Sequence, residues 1–251
     1  MRRYFIALFL CLIPAIANAE FITPLGRVNP ETTVQLTDEF IGGSLETGEI
    51  GELGWAFTNP TVTHVDGVSN HPGIKNIASA ATTGNISSFH LGTSQSAGSI
   101  DPDEYFDITY IVRPQTNTLQ EFRVGIAYGW SSAPGVGGIY FIHDTNTPNS
   151  SETGAANPTL TEWACVTRSS STSTLTDANV TVSTNTWYKL RIRRLSATQI
   201  EFFIDGASVC THSTNIPTTA ELSGIQIEPL EDVSKTTDVD YFHLEVNGIT
   251  R

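Results

Sequence analysis

The chain is short of positive charge. Lys and Arg total 13 against 26 Asp and Glu, a formal net charge of −13 over 251 residues. Nucleic-acid phosphates repel so acidic a chain, and anionic lipid surfaces do not attract it. Neither is therefore expected as a partner. Charged residues of both signs make up only 16% of the sequence, which suits long solvent-facing helices poorly, and the 3.6-residue apolar period of such helices is nearly missing. Several patterns tied to particular chemistries are also absent: no His-Glu-x-x-His, no Gly-x-Ser-x-Gly, no phosphate-cradling glycine loop. The six histidines (His64, His71, His90, His143, His212, His243) never pair at metal-ligand spacing.

Only one long apolar run exists, and it opens the chain. Arg2 and Arg3 precede an apolar stretch from Tyr4 to Ile16, broken by Pro14 and closed by Ala17-Asn18-Ala19. A charged start, a short apolar core and small residues at the end predict a secretory signal over 1–19, cut before Glu20. No later run is long enough to span a bilayer. Residues 20–33 then form an N-terminal segment and 34–251 a single domain. Losing Arg2 and Arg3 from the 13 basic residues leaves 11 against 26 acidic ones, a net charge near −15. Cleavage also removes Cys11. Cys165 and Cys210 remain, either joined as a disulfide in an oxidising compartment or buried as free thiols.

What is present is strand alternation. Phe106, Ile108, Tyr110 and Val112 alternate with polar neighbours, as do Tyr188, Leu190 and Ile192, and then Ile200, Phe202 and Ile204. Each set predicts a half-buried strand. Asp205-Gly206 between two such runs predicts a tight hairpin. The second half is expected to be a meander through 163–168, 173–176, 187–194, 199–205 and 207–213. Further strands are expected at 34–41, 53–58, 61–66, 86–91, 122–128, 138–143, 224–228 and 239–246. Residues 145–161, rich in Asn, Thr and Pro, predict a surface loop. Many short strands with regular turns imply an all-β fold of two packed antiparallel sheets, a β-sandwich.

Two stretches carry a resemblance. Trp187-Tyr188-Lys189-Leu190-Arg191-Ile192 followed by Ile200-Glu201-Phe202-Phe203-Ile204-Asp205-Gly206, with Asp238–Leu244 near the end, resembles the closing hairpin and last strand of concanavalin A-like lectin/glucanase jelly rolls. The series Asp38–Gly43, Asn70–Ile74, Gly138–Phe141 and Thr214–Thr218 is similar to uncharacterised tailed-phage and prophage structural or accessory proteins. The first resemblance implies a jelly roll. The second implies a virion-associated or cell-surface module that binds another protein or itself. An exported lectin-like module that binds glycan is the alternative, and a glucanase- or lyase-type enzyme comes third. Glucanases of this fold carry a Glu-x-Asp-x-x-Glu strand, and this chain has none. Asp101, Asp103 and Glu104 come nearest but are interrupted by Pro102. Catalysis is therefore not expected.

Candidate binding residues follow from residue type and place. Trp130, with Tyr128 beside it, lies in a turn-rich segment and could stack on sugar rings. Lys189, Arg191, Arg193 and Arg194 cluster in one strand and could dock an acidic glycan or a partner subunit. No cofactor is required, but Asp66, Asn70 and Asp240 could supply oxygens to a structural calcium. The expected location is secreted or periplasmic, with the virion as the alternative.

Overall fold

The computed structural model describes residues 22–23, 26–27, 33–40, 51, 53–68, 70–91, 99–100, 104–130, 136–145, 161–219 and 221–247. The expected signal 1–19 and most of the loop 145–161 lie outside them. Regular structure among the described residues is all β. In chain order the strands are β1 (Ile22–Thr23), β2 (Gly26–Arg27), β3 (Thr33–Asp38), β4 (Trp55–Thr58), β5 (Thr61–Val68) and β6 (His71–Ala78). Next come β7 (Ser87–Leu91), β8 (Ser99–Ile100), β9 (Tyr105–Pro114), β10 (Gln120–Ala127), β11 (Gly138–Asp144) and β12 (Glu162–Ser169). The last are β13 (Thr172–Thr181), β14 (Tyr188–Ser196), β15 (Gln199–Ile204), β16 (Ala207–His212), β17 (Glu221–Pro229) and β18 (Thr236–Asn247).

β1 and β2 pair with each other. The other strands form two antiparallel sheets. The first runs β13-β12-β11-β10-β17-β7-β4 with β8 beside β17. The second runs β16-β15-β14-β9-β18-β6-β5 with β3 beside β18. Inward residues of both sheets meet in one core that includes Phe40, Trp55, Phe89, Tyr110, Phe141, Trp163, Phe202 and Phe242. Trp55 stacks on Phe89 at 4.7 Å and meets Phe242 edge-on at 4.8 Å, the offset and T-shaped geometries that aromatic quadrupoles favour. This is the β-sandwich expected from alternation.

The expected meander is split between the sheets. β12 and β13 belong to the first sheet; the chain then crosses over, and β14, β15 and β16 form a meander in the second. Cys165 on β12 and Cys210 on β16 therefore face each other across the core, joined by a disulfide with Cα atoms 6.4 Å apart. β6 was not expected at all. It contains Pro72-Gly73, a pair that normally marks a turn. Here it lies near the strand start, and β6 pairs with β5 and β18.

A buried carboxylate organises one corner. Asp38 accepts hydrogen bonds from the backbone N–H of Phe40 (2.8 Å) and Leu53 (3.1 Å) and from Trp55 Nε1 (3.0 Å). Gly51, at φ +76°, lies so close that a Cβ there would sit 2.3 Å from Asp38 Oδ2.

Candidate functional site

The outer face of the second sheet carries the candidate site. Register places Lys189, Ile111 and Tyr241 in one row across β14, β9 and β18. The next row is Phe203, Arg191, Thr109, His243 and Thr37, and the one after is Glu201, Arg193, Asp107, Glu245 and Gln35. A groove of about 290 Å³ opens over these rows, lined by Asp107, Thr109, Lys189, Arg191, Tyr241, His243 and Glu245.

Its polar groups are held in place. Arg191 donates through Nε to Asp107 Oδ1 at 2.7 Å and through Nη2 to Oδ2 of the same carboxylate. The Asp107 hydrogen bonds, with the charges of Asp107, Glu201 and Glu245, raise the Arg191 pKa above its ordinary value against the pull of burial. Glu245 accepts from Gln35 Nε2 at 3.0 Å and from Asn247 Nδ2 at 2.9 Å. His243 Nδ1 is 3.0 Å from Thr37 Oγ1, and its ring lies nearly parallel to Tyr241 at 6.5 Å. Burial, and then the charge of Glu39, raises the Tyr241 pKa, so its hydroxyl stays protonated. Beside the groove, Arg191 and Arg193 both lie 5.2 Å from the Phe203 ring, a cation–π clamp on a half-buried aromatic. Arg193 also pairs with Glu201 at 2.9 Å. The pKa of Glu201 is lowered, chiefly by the Ser208 hydroxyl and then by Arg193.

The outer face of the first sheet is built differently. Ala127, Trp130, Tyr140, Ile142, Ala164, Val166 and Leu222 form a second apolar cluster there. Next to it, Glu228, Glu121 and Asp144 stand directly opposite one another across β17, β10 and β11. Arg123 pairs with Glu121, hydrogen-bonds Gln226 and lies 5.8 Å from the Tyr140 ring. Burial and the neighbouring Glu121 charge raise the Glu228 pKa, opposed by Arg123. This carboxylate row was missed from sequence, because its members come from three strands and no single-strand motif reveals them.

Several expected site residues stand elsewhere than foreseen. Trp130 is not an exposed platform. It is 2% accessible, and its Nε1 donates to the Leu222 carbonyl at 2.7 Å. It fills the space above Gly224, where a Cβ would sit 2.9 Å from Nε1. A ring packed this way has no face for a sugar; Tyr128 beside it is exposed. Lys189, Arg191 and Arg193 do share the outer face, but Arg194 does not. Strand alternation puts Arg194 on the inward side of β14 with Tyr188, Leu190 and Ile192, at 5% accessibility, donating to the Ser196 and Ala197 carbonyls. Asp240 Oδ2 is taken by His71 Nδ1 at 2.7 Å. Asn70 is exposed in the β5–β6 turn at φ +71°, and the side chain of Asp66 lies outside the described residues. Among the described residues no group of three or more His, Cys, Asp or Glu is placed to hold a metal.

A family model described as SO2946-like, C-terminal domain, matches residues 70–240. The chain belongs to this family. The match covers β9 and β14 and the start of β18 up to Asp240, so Tyr241, His243 and Glu245 lie beyond it. The crystal structure of SO2946 from Shewanella oneidensis MR-1, a protein of unknown function, superposes with a TM-score of 0.63 at 14% identity, over 88% of this chain and 90% of that one. Peanut lectin crystallised with a 9mer peptide is similar at TM-score 0.55 and 13% identity, over 87% and 99%. A Bacillus licheniformis β-glucanase is similar at 0.51 and 10%, over 86% and 98%. These likenesses show the lectin/glucanase jelly-roll fold. No curated protein sequence matches the chain.

Proposed function

We propose that this protein is an exported, non-catalytic glycan-binding β-sandwich whose binding surface is the groove over β14, β9 and β18. The observation that carries this reading is the groove lining. Tyr241 and His243 offer ring faces, while Asp107, Arg191 and Glu245 offer planar polar groups already fixed by their neighbours. Sugars bind through apolar ring faces and many hydroxyls, and groups ordered in advance lose little entropy on binding. The lectin among the similar folds, the expected signal segment and the disulfide favour an extracytoplasmic setting. Hydrolysis would need an acid and a nucleophile flanking one open position. In the groove Asp107 is engaged by Arg191 and Glu245 by two amides.

Retention by soluble polysaccharides in affinity electrophoresis tests the reading. Tyr241→Ala and Asp107→Asn should each weaken retention about tenfold, while Trp130→Phe should not. Loss of retention in none of these variants, or retention by no glycan at all, refutes it. A building role in which the module binds a protein or itself is the second reading. It is favoured by Phe57, 40% exposed on the edge strand β4. Light scattering of the wild type and Phe57→Lys decides that reading, which a strict monomer ends.

A further inference from the structure

The charges in the groove are not balanced along its length. Asp107 and Glu245 stand opposite each other at one end, and Arg191 binds Asp107 there through two nitrogens. Lys189 stands at the other end, in the row of Ile111 and Tyr241. It is exposed, and among the described residues it makes no ion pair. Its backbone is tied down on both sides: its N–H donates to Asp205 Oδ1 at 2.8 Å, and its carbonyl accepts from Asp205 N–H at 2.9 Å. The ammonium therefore projects from a fixed point in a chain of net charge −13, where cations are scarce.

Lys189 and Tyr241 are separated by β9 alone, two strand spacings or about 10 Å. A pyranose lying on the Tyr241 ring would reach toward Lys189 over the small apolar floor of Ile111. Glu245 and Asp107, which can only accept hydrogen bonds, lie four residues along the strands, about 13 Å away, so they would face hydroxyls of the next ring of the same saccharide. A neutral saccharide can use the acceptor end but leaves the ammonium with water. A short saccharide whose ring on Tyr241 bears a carboxylate uses both ends.

We propose that the groove selects a carboxylate-bearing saccharide, of uronic acid type, with the carboxylate on Lys189 and hydroxyls of the next ring on Glu245 and Asp107. This rests on the glycan-binding reading above and narrows its ligand class. A charge-assisted contact at an exposed site contributes modestly, so discrimination of roughly five- to tenfold is expected.

The test compares polygalacturonate and alginate with methyl-esterified pectin, which keeps the rings and removes the charge, and with dextran sulfate. Wild type and Lys189→Met are measured at low and high salt. Lys189→Met sits on an exposed strand position, and an unchanged melting temperature shows that it folds. The expected result is that wild type prefers an acidic carboxylate polymer over the ester, and that Lys189→Met loses this preference but keeps its affinity for the ester. Equal binding of acid and ester, or a preference that survives Lys189→Met, overturns the carboxylate assignment and leaves the groove a neutral-sugar site. Dextran sulfate bound as well as the uronates, with the same dependence on Lys189, replaces carboxylate selection by general anion attraction and overturns it too. Binding of none of the polymers refutes this inference together with the reading on which it rests.

Discussion

Glu221 offers a quantitative test of the fold. It begins β17 and is fully buried, with Oε1 accepting from Thr219 Oγ1 at 3.1 Å and no hydrogen-bond partner for Oε2 among the described residues. Gly137 packs so closely that a Cβ there would lie 2.4 Å from Oε1. Burial pushes the carboxyl pKa from 4.5 up to about 8, against a small opposing effect of the Thr219 hydrogen bond. Below pH 4.5 the carboxyl is protonated folded and unfolded, and it costs nothing. As the pH rises from 4.5 toward 8, the unfolded chain ionises while the folded one stays neutral. Stability then falls by about 1.4 kcal/mol per pH unit, reaching roughly 3 kcal/mol at pH 7. Glu221→Gln removes this dependence. The amide NH₂ is left without a partner, a constant penalty of about 1–2 kcal/mol that shifts all pH values alike. Urea denaturation of both proteins at pH 5 and pH 7 reads the difference. Relative to wild type, the variant should gain about 2–3 kcal/mol between the two pH values, a relative midpoint shift of roughly 1 M for a chain of this size. Other titrating groups cancel in the comparison. Parallel behaviour of the two proteins across this range would refute the assignment of a neutral, buried Glu221.

Two further predictions concern the seam where β13 and β16 close the sandwich. The Cys165–Cys210 disulfide spans 45 residues, so in the chain-entropy account replacing both cysteines by Ala lowers stability by about 4 kcal/mol. A urea midpoint unchanged by the double substitution, or by reductant, would contradict this. His212 sits between Thr167 Oγ1 and Thr176 Oγ1, each at 3.0 Å, and burial pushes its pKa from 6.5 down to about 4. Above pH 6.5 the ring is neutral in both states. As pH falls from 6.5 to 4 the unfolded ring takes up a proton first, and stability drops by up to about 3 kcal/mol. His212→Gln should flatten that acid limb, and chemical denaturation at pH 4.5 and 7 checks it.

Legibility in the sequence differed from element to element. The Asp205-Gly206 hairpin was readable because both residues take positive φ, 51° and 85°, as a tight hairpin turn demands. The turn at Ser170-Ser171 also has positive φ at both residues, 50° and 67°, but serine carries no such signal. Lys189, Arg191 and Arg193 were legible as one face, because strand alternation has a period of two. Arg194 has the opposite parity, so the same period places it on the inward face of β14. Trp130 was misjudged because its exposure is decided by long-range packing. Its place in a turn-rich segment suggested exposure, while the glycine that makes room for it lies on β17, 94 positions later.

Local pattern alone determined the β class, most strand positions and the inward set of β9, β14 and β15. These depend on neighbours two to four residues apart, and the pleat turns such spacing directly into faces. Tertiary structure decided which strands share a sheet, that Cys165 and Cys210 meet across the core, and that β14, β9 and β18 lie side by side. The groove exists only because that order brings Lys189, Asp107 and Tyr241 together from distant parts of the chain. Strand order is set by how two whole apolar faces cover each other, a property that no single segment contains.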